Sequence, residues 1–287
     1  MANRKKRPPL SKTREQYVQQ RASGILVGAP LHYPAAPQAR YRNELDKLIA
    51  PMVRQYEREM RLLWRQYGPE MTTDASLASQ ARIALRRLQD RFSKLFAKRA
   101  PTIVDKLLGG IDKAATASLE QSLKQLSGGV TLKVAAMPGA LAEAMKASAI
   151  ENVALIKSIP AQYHERIEGA VMRSIQAGGE GRKTLFDEIE NIGGMSRRRA
   201  ELIARDQTAK ITTVMHKERA RAAGIRKFRW LHSSASAEPR RKHVEANGKI
   251  YEYDNPPRIG DNEEPVLPGQ AINCRCVAVP ILEWGDD

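Results

Sequence analysis

Apolar side chains recur at every third or fourth position from residue 45 to residue 67, which places them along one face of an α-helix. The members of this stripe are Leu45, Leu48, Ile49, Met52, Val53, Tyr56, Met60, Leu63, Trp64 and Tyr67. Gly68 and Pro69 follow directly, and both residue types end helices. The pattern therefore predicts a long amphipathic helix that ends near residue 67.

Helical spacing resumes after residue 76 and predicts two more helices in the first half of the chain. One carries apolar positions from Leu77 to Phe96, and the next starts after Pro101 and extends to Leu126. Glycine is a poor helix former, so the Gly109–Gly110 pair is expected to bend or split the later helix.

Four helical segments are predicted between residues 139 and 223. Residues 139–158 and 160–177 form two of them, separated at Pro160, a residue type suited to the first turn of a helix. A short helix near residues 183–190 precedes a long one. We expect the long helix to begin at Ser196, a good N-cap residue, and to stop at Gly224.

Beyond Gly224 the spacing changes from helical to alternating, which is typical of short β-strands. Strand-like runs lie at residues 227–231, 249–253 and 274–282, with proline-rich turns between them. The fold predicted from the whole pattern is a mainly α-helical body with a small α+β module at the C-terminus. Its regions are an N-terminal helical region (43–138), a central helical region (139–224) and the α+β module with its Cys-x-Cys strand (225–287).

Residues 1–42 lack this periodicity and hold nine Lys and Arg, one acid and five prolines. Prolines without apolar periodicity cannot build a core, so we expect a basic, flexible and largely extended arm. The arm opens with the basic run Arg4, Lys5, Lys6 and Arg7, which are candidate nucleic-acid contacts.

Composition and charge narrow the class of protein. The 287 residues are 42% hydrophobic and 28% charged, as in a folded globular chain, and the net charge of +16 favours a polyanionic partner such as nucleic acid. No run of 18 apolar residues occurs and no apolar segment follows the basic start, so we expect neither a membrane span nor a secretory signal. Two cysteines cannot form a disulfide framework, and we expect a reducing cytosol.

A second basic cluster lies within residues 196–229, where eleven basic residues face three acids. It includes the run Arg197, Arg198 and Arg199, which are further candidate nucleic-acid contacts. The cluster predicts either a surface that tracks phosphates or an ordinary solvated helix face. Because only Phe228 and Trp230 are aromatic there, contacts to a nucleic-acid backbone are favoured over base stacking.

The strongest local signal for chemistry is Cys274-Arg275-Cys276 on a predicted strand. Residues at i and i+2 of a strand share a face, so both thiols can reach one point, as a structural zinc ion requires. His243 is the nearest third ligand and His232 a weaker candidate for the fourth. Two other interpretations stay open: two buried cysteines that act as small apolar residues, and a redox pair.

Enzymatic alternatives have less support. His243 and Asn247 suggest a nuclease of the His–Asn type, but a short helix followed by an Asn247-Gly248 turn explains both residues equally well. Walker-type phosphate loops, Gly-x-Ser-x-Gly elbows and His-Glu-x-x-His motifs do not occur. We therefore expect no catalytic residues.

The C-terminal half resembles the phage head morphogenesis family, the minor head proteins similar to the F protein of phage Mu. The resemblance covers roughly residues 145–282 and depends on the order and spacing of several short fragments. These are Leu155-Ile156-Lys157-Ser158-Ile159-Pro160, Ile203-Ala204-Arg205-Asp206-Gln207-Thr208, Gly224-Ile225, Trp230, Arg240-x-x-His243, Asn247-Gly248-Lys249, Pro256-Pro257, Pro268-Gly269 and Asn273-Cys274-Arg275-Cys276.

The resemblance implies a non-enzymatic minor capsid protein of a tailed phage, made in the host cytoplasm and built into the virion in several copies. It implies a place at the portal vertex and the capsid interior, with the portal protein, the major capsid or scaffolding protein and phage DNA as partners. The chain departs from the family pattern in two places. Leu267 stands where members often carry a histidine, and Ala235 and Glu238 stand where an aspartate is usual. The alternative from another class is a free DNA-binding or DNA-processing protein.

Overall fold

Five helices and four strands make up the regular structure of the residues that the computed structural model describes, namely 24–67, 75–129, 139–177, 182–233 and 238–283. The helices are α1 (Ala35–Tyr67), α2 (Ala75–Leu126), α3 (Gly139–Gln176), α4 (Arg182–Ala222) and α5 (Arg241–Glu245). The strands are β1 (Ile25–Val27), β2 (Lys227–Leu231), β3 (Ile250–Glu252) and β4 (Val277–Glu283). The predicted fold class, mainly α with a small α+β module, is confirmed.

The four strands form one antiparallel sheet in the order β1-β4-β2-β3. β2 and β4 pair in the middle, with Phe228 opposite Pro280, and β3 pairs with the outer side of β2. Strand β1 completes the other edge, with Leu26 opposite Leu282. The sheet therefore joins residues from both ends of the chain.

Residues 24–42 differ from the extended arm that we predicted. They contain β1 and the first turns of α1, which begins at Ala35 rather than near residue 43. Strand β1 has only three residues, too few to show alternation, and it gains its hydrogen bonds from β4 about 250 positions later. Residues 1–23 of the predicted arm lie outside the described residues.

The long helices continue through the positions where we expected breaks. Pro101 lies inside α2 and Pro160 inside α3, and α2 is also unbroken at Gly109. A helix-interior proline costs about 3 kcal/mol, but buried residues continue on both sides of each proline and hold the helix by packing. These residues are Phe96, Ala100, Ile103 and Val104 around Pro101, and Ile156, Ile159 and Tyr163 around Pro160.

Ser196 does not begin a helix, contrary to our prediction. It lies in the middle of α4, and its hydroxyl donates a hydrogen bond to the carbonyl of Ile192 one turn earlier. The predicted stop is correct, because α4 ends at Ala222 and Gly224 adopts a φ of 79°. A serine hydroxyl can donate to a carbonyl within its own helix as well as cap a helix N-terminus. The residue type alone therefore did not distinguish a helix start from a helix interior.

The chain divides into two compact units. The domain ranges inferred from the sequence remain predictions. One compact unit, here called the sheet unit, contains residues 1–35, 109–145 and 208–287. Its buried apolar cluster joins the sheet to the C-terminal part of α2 and to both cysteines. Members include Leu26, Leu31, Leu119, Leu123, Phe228, Trp230, Leu267, Cys274 and Cys276.

The other, the helical unit, contains residues 36–108 and 146–207. The predicted stripe of α1 is buried there: Leu45, Met52 and Tyr56 are fully enclosed, whereas Leu63 is only half-buried. Some buried polar side chains of this unit are paired: the Tyr41 hydroxyl donates to the Asn152 side-chain oxygen, and the Asn152 amide N–H donates to the Gln207 side-chain oxygen. The helical unit thus combines an apolar helix core with a few buried polar contacts.

Candidate functional site

Cys274 and Cys276 lie in the extended segment immediately before β4, and both are buried in the sheet unit. We predicted them on a strand, but the strand begins at Val277. The alternation nevertheless holds, because Arg275 between them is exposed and the two thiols point to the same side. The segment is not paired with another of the described strands at Cys274 and Cys276. Its backbone is held instead by a hydrogen bond that the Tyr33 hydroxyl donates to the Cys276 carbonyl.

His243 lies on the short helix α5 and is the third member of the cluster, as we predicted from the sequence. Its Nδ1 atom is 3.5 Å from the Cys274 sulfur and 3.8 Å from the Cys276 sulfur. The edge of the Trp230 ring packs against the imidazole, with the ring centroids 5.1 Å apart. All three residues are buried, and their donor atoms lie within 4.8 Å of one another.

These separations fit a tetrahedral metal ion. Zinc bonds of about 2.3 Å to sulfur and about 2.1 Å to nitrogen, set at tetrahedral angles, separate sulfur and nitrogen by about 3.6 Å. The two observed nitrogen–sulfur distances, 3.5 and 3.8 Å, bracket that value. The two nitrogen–sulfur distances are therefore compatible with three ligands of a four-coordinate ion.

The electrostatics of the two thiols are coupled. A hydrogen bond between them, together with burial, raises the pKa of Cys274 to about 12, whereas accepting that bond lowers the pKa of Cys276 to about 7. The Gly269 N–H also donates to the Cys274 sulfur, at 3.4 Å. The Cys276 thiol therefore loses its proton more easily than the Cys274 thiol does. A bound divalent metal ion would favour loss of both protons.

A groove of about 560 Å³ opens on the cluster and is lined by His232 and Glu238 among others. It leaves space for a fourth ligand or a water molecule. His243 Nε2 is buried and has no hydrogen-bond partner within the part of the chain that the structure describes. Leu267, at the position where the family pattern suggested a histidine, is buried in the same apolar cluster as the cysteines.

The nuclease interpretation finds no geometric support in His243 and Asn247. His243 Nδ1 faces the two sulfurs, and the Asn247 side-chain oxygen accepts a hydrogen bond from the His232 backbone N–H at 2.9 Å. Gly248 follows with a φ of 79° and leads into β3. Asn247 and Gly248 therefore form the turn that the alternative interpretation described.

Only some of the candidate nucleic-acid residues lie in the part of the chain that the structure describes. Arg4, Lys5, Lys6 and Arg7 lie outside the described residues. Arg197 and Arg198 are exposed on α4, whereas Arg199 is half-buried and donates a hydrogen bond to the Ser158 hydroxyl at 3.2 Å. The run thus presents two exposed basic side chains and one that is hydrogen-bonded within the helical unit.

Several basic residues later in the predicted cluster are neutralised within the sheet unit. Arg219 is buried and pairs with Asp112. Lys217 and Arg221 both contact Asp254, at 3.6 and 3.2 Å, and Lys227 pairs with Glu283 at 2.5 Å. Part of the local excess of positive charge is therefore used to join elements rather than offered to solvent.

The structure adds a role for Tyr33 and Thr213, which sequence reasoning missed, and for Gly269, which it named only as part of the family pattern. Tyr33 carries no motif and reaches the site only through the fold, so no local signal identified it. Gly269 was visible as part of Pro268-Gly269, and the structure explains it: its φ is 87°, and a Cβ there would lie 2.0 Å from the Tyr33 hydroxyl oxygen. Thr213, whose hydroxyl donates to the Pro268 carbonyl at 2.8 Å, secures the same turn.

The part of the chain that contains the cysteine cluster matches the model of a known protein family. Residues 165–279, which include α5, β2, β3 and the whole cluster, match the model of a family described as "Phage Mu protein F like protein". We call this segment the Mu F-like region, after the family that it is similar to. The resemblance noted from the sequence is confirmed over these residues, and the Mu F-like region contains all three candidate metal ligands.

Similarity to a further protein extends beyond the Mu F-like region. An uncharacterized protein of Haemophilus influenzae is 29% identical over 246 residues, which is 85% of this chain and 53% of that protein. The chain thus spans about half the length of this curated relative. No solved structure matches. Across the described helices, none has an apolar stretch long enough to cross a membrane.

Proposed function

We propose that the chain is a structural minor capsid protein of a tailed bacteriophage, bound at the portal vertex and capsid interior, where it aids procapsid assembly and DNA packaging or delivery. The observation that carries the proposal is the Mu F-like match across residues 165–279. The portal protein and the major capsid or scaffolding protein are the expected partners, with several copies of the chain in each virion. The chain acts by binding rather than by catalysis.

Co-sedimentation tests the head role against the main alternative, a free DNA-binding or DNA-processing protein. Procapsids are purified, before DNA packaging, from cells producing the phage that encodes the chain, then treated with nuclease and washed at high salt. A head component stays with the shells through this treatment. A protein held only by DNA leaves the shells and is recovered in the soluble fraction, and that result would reject the proposal.

A bound zinc ion stabilising the C-terminal module is the second part of the proposal. Its ligands would be His243, Cys274 and Cys276, with the fourth position open to the adjacent groove. Both cysteines belong to the buried apolar cluster of the sheet unit, so the ion would add a cross-link to a module that packing already helps to hold. The ion would cross-link α5 to the segment before β4, which no backbone ladder joins to that helix in the described residues.

Elemental analysis of the purified full chain tests the zinc site. We expect about one zinc per chain, lost in Cys274→Ser and in His243→Gln together with a lower melting temperature. His32→Gln is the matched control, because His32 is exposed and should leave the zinc content unchanged. A metal-free parent together with a Cys276→Ser variant that melts like the parent would identify the cysteines as ordinary core residues.

Non-specific contact with phage DNA is the third part, and the N-terminal arm is its first expected source. Deleting residues 2–15 removes six basic side chains, Arg4, Lys5, Lys6 and Arg7 among them. Each phosphate contact contributes about −0.9 to the slope of log affinity against log salt on duplex DNA. The deletion should lower both the affinity and the steepness of that slope. A slope equal to that of the parent would refute the electrostatic role of the arm.

A further inference from the structure

A groove with five arginines among its ten lining residues lies on the helical unit, whereas the cysteine cluster belongs to the sheet unit. It encloses about 980 Å³, and its basic residues are Arg54, Arg58, Arg61 and Arg65 of α1 with Arg91 of α2. We call these five residues the arginine groove. All five are exposed, so their charges are open to solvent.

The four arginines of α1 follow a spacing of i, i+4, i+7 and i+11, which places them in one line on the helix surface. The buried side of the same helix, which carries Met52, Tyr56 and Met60, is turned about 160 to 240° away from Arg54 at 100° per residue. The line of arginines thus runs along the face opposite the core for about 16 Å.

Few of these charges are neutralised by the protein itself. Of the two acids that line the groove, Glu57 accepts hydrogen bonds from Arg61 at 2.8 and 2.9 Å, and Glu59 accepts one from Arg87 outside the lining at 2.9 Å. Arg54, Arg58, Arg65 and Arg91 have no carboxylate partner among the residues that the structure describes. The groove therefore contrasts with residues 217–227 of the sheet unit, where most basic side chains are paired.

The row of arginines on α1 lowers the stability of that helix, which indicates that these charges serve binding rather than folding. Like charges at i and i+4 on a helix repel, as Arg54 and Arg58 do here. Two acids, Glu57 and Glu59, also line the groove, but the arginines outnumber them five to two, and every basic residue lining the groove is arginine rather than a mixture with lysine. Arginine presents a planar fork of donors that matches two oxygens of one phosphate, whereas lysine is a single point charge.

We infer that the arginine groove binds the phosphate backbone of duplex DNA without regard to sequence. A 16 Å line of guanidinium groups matches a repeating polyanion, since it spans about five nucleotide steps at 3.4 Å each, and exceeds what one isolated phosphate could engage. The described residues that line the groove include no aromatic side chain, so contacts go to phosphates rather than to stacked bases. The inference deepens the proposed contact with phage DNA and rests on it, but names a site on the folded helical unit rather than the arm.

Salt-dependent binding to a 20-base-pair duplex by the full chain tests the inference. Arg54→Gln/Arg58→Gln removes two unpaired charges at i and i+4 and should make the slope of log affinity against log salt shallower by about 1.8. Arg82→Gln/Arg86→Gln is the matched control, because it removes an exposed i, i+4 pair from α2 outside the groove. The control should keep the parent slope, and both variants should keep the parent melting temperature.

Equal slopes for the groove variant and its control would overturn the inference. If the groove variant keeps the DNA slope but binds polyglutamate less tightly than the parent, the groove recognises acidic protein, and the DNA site is likewise rejected. Because the variants retain the arm and the Mu F-like region, a negative result here leaves the co-sedimentation test of the head role unaffected, and the two failures can be told apart.

Discussion

The Tyr33 hydroxyl donates a hydrogen bond to the carbonyl of Cys276, across 243 positions of the chain. Two backbone bonds support the contact on the same segment: the Leu31 N–H donates to the Ala278 carbonyl and the Gly28 N–H to the Pro280 carbonyl, both at 2.9 Å. The residues between β1 and α1 thus hold β4 and the segment before it, which carries both thiols. The geometry of the cluster therefore depends on an N-terminal segment outside the Mu F-like region as well as on that region.

Replacing Gly269 by alanine should destabilise the sheet unit by about 2–4 kcal/mol, through steric overlap added to an unfavourable backbone angle. The new Cβ would lie 2.0 Å from the Tyr33 hydroxyl oxygen and 3.0 Å from the Thr213 hydroxyl oxygen. Gly248→Ala is the control, since Gly248 also has a positive φ but no neighbour within 4 Å, and should cost about 1 kcal/mol. Urea unfolding measures both, and equal losses would show that the close approach of Tyr33 does not matter.

Replacing Leu48 by aspartate should destabilise the helical unit by several kcal/mol, because the charge would enter a site where the leucine is only 7% exposed. Aggregation or loss of the chain from the particle should follow. Ile83→Asp on α2 changes a side chain that is 61% exposed and should be tolerated. Thermal unfolding of the two variants separates the cases. A Leu48→Asp protein that melts like the parent would mean that this face of α1 is not core.

Acid should destabilise the sheet unit through His216. Burial, with a smaller contribution from the Arg219 guanidinium, lowers the pKa of His216 to about 3. Below about pH 6.5 the unfolded chain takes up a proton that the folded chain refuses, so stability is lost as the pH falls from 6.5 toward 3, by at most about 1.4 kcal/mol per pH unit. Above pH 6.5 both states are neutral at this residue, and it contributes no pH dependence.

Unfolding free energies at pH 7, 6 and 5 check the role of His216. His216→Gln should flatten the decline between pH 6.5 and 5, whereas His32→Gln, at an exposed position, should leave it as in the parent. A decline of the same steepness in all three proteins would assign the acid sensitivity to other groups.

Much of the fold was predictable because it follows from local spacing. The stripe from Leu45 to Trp64 predicted α1, and the alternating run at residues 227–231 predicted β2 with its bounds. Breaks at Pro101 and Pro160 were wrong because packing along both sides of a helix outweighs one lost hydrogen bond. Strand β1 was missed because its pairing is non-local, and a three-residue strand has no signal of its own.

The candidate site was partly predictable for the same reason. The i, i+2 spacing of Cys274 and Cys276 predicted that the thiols share one side, and His243 was predicted as the third ligand because it is the nearest candidate. Tyr33 could not be found, since only the folded sheet unit joins it to Cys276. The spacing of Arg54, Arg58, Arg61 and Arg65 is visible in the sequence, but only the structure shows that three of them have no carboxylate partner among the residues it describes.

An electron cryo-microscopy reconstruction of the portal vertex, without imposed symmetry and from procapsids purified before packaging, tests the head role most directly. The account predicts density beside the portal protein that fits the four-stranded sheet with α5, in several copies per particle. A vertex fully explained by portal and major capsid protein, with the chain recovered only from the soluble DNA-bound fraction, would contradict it.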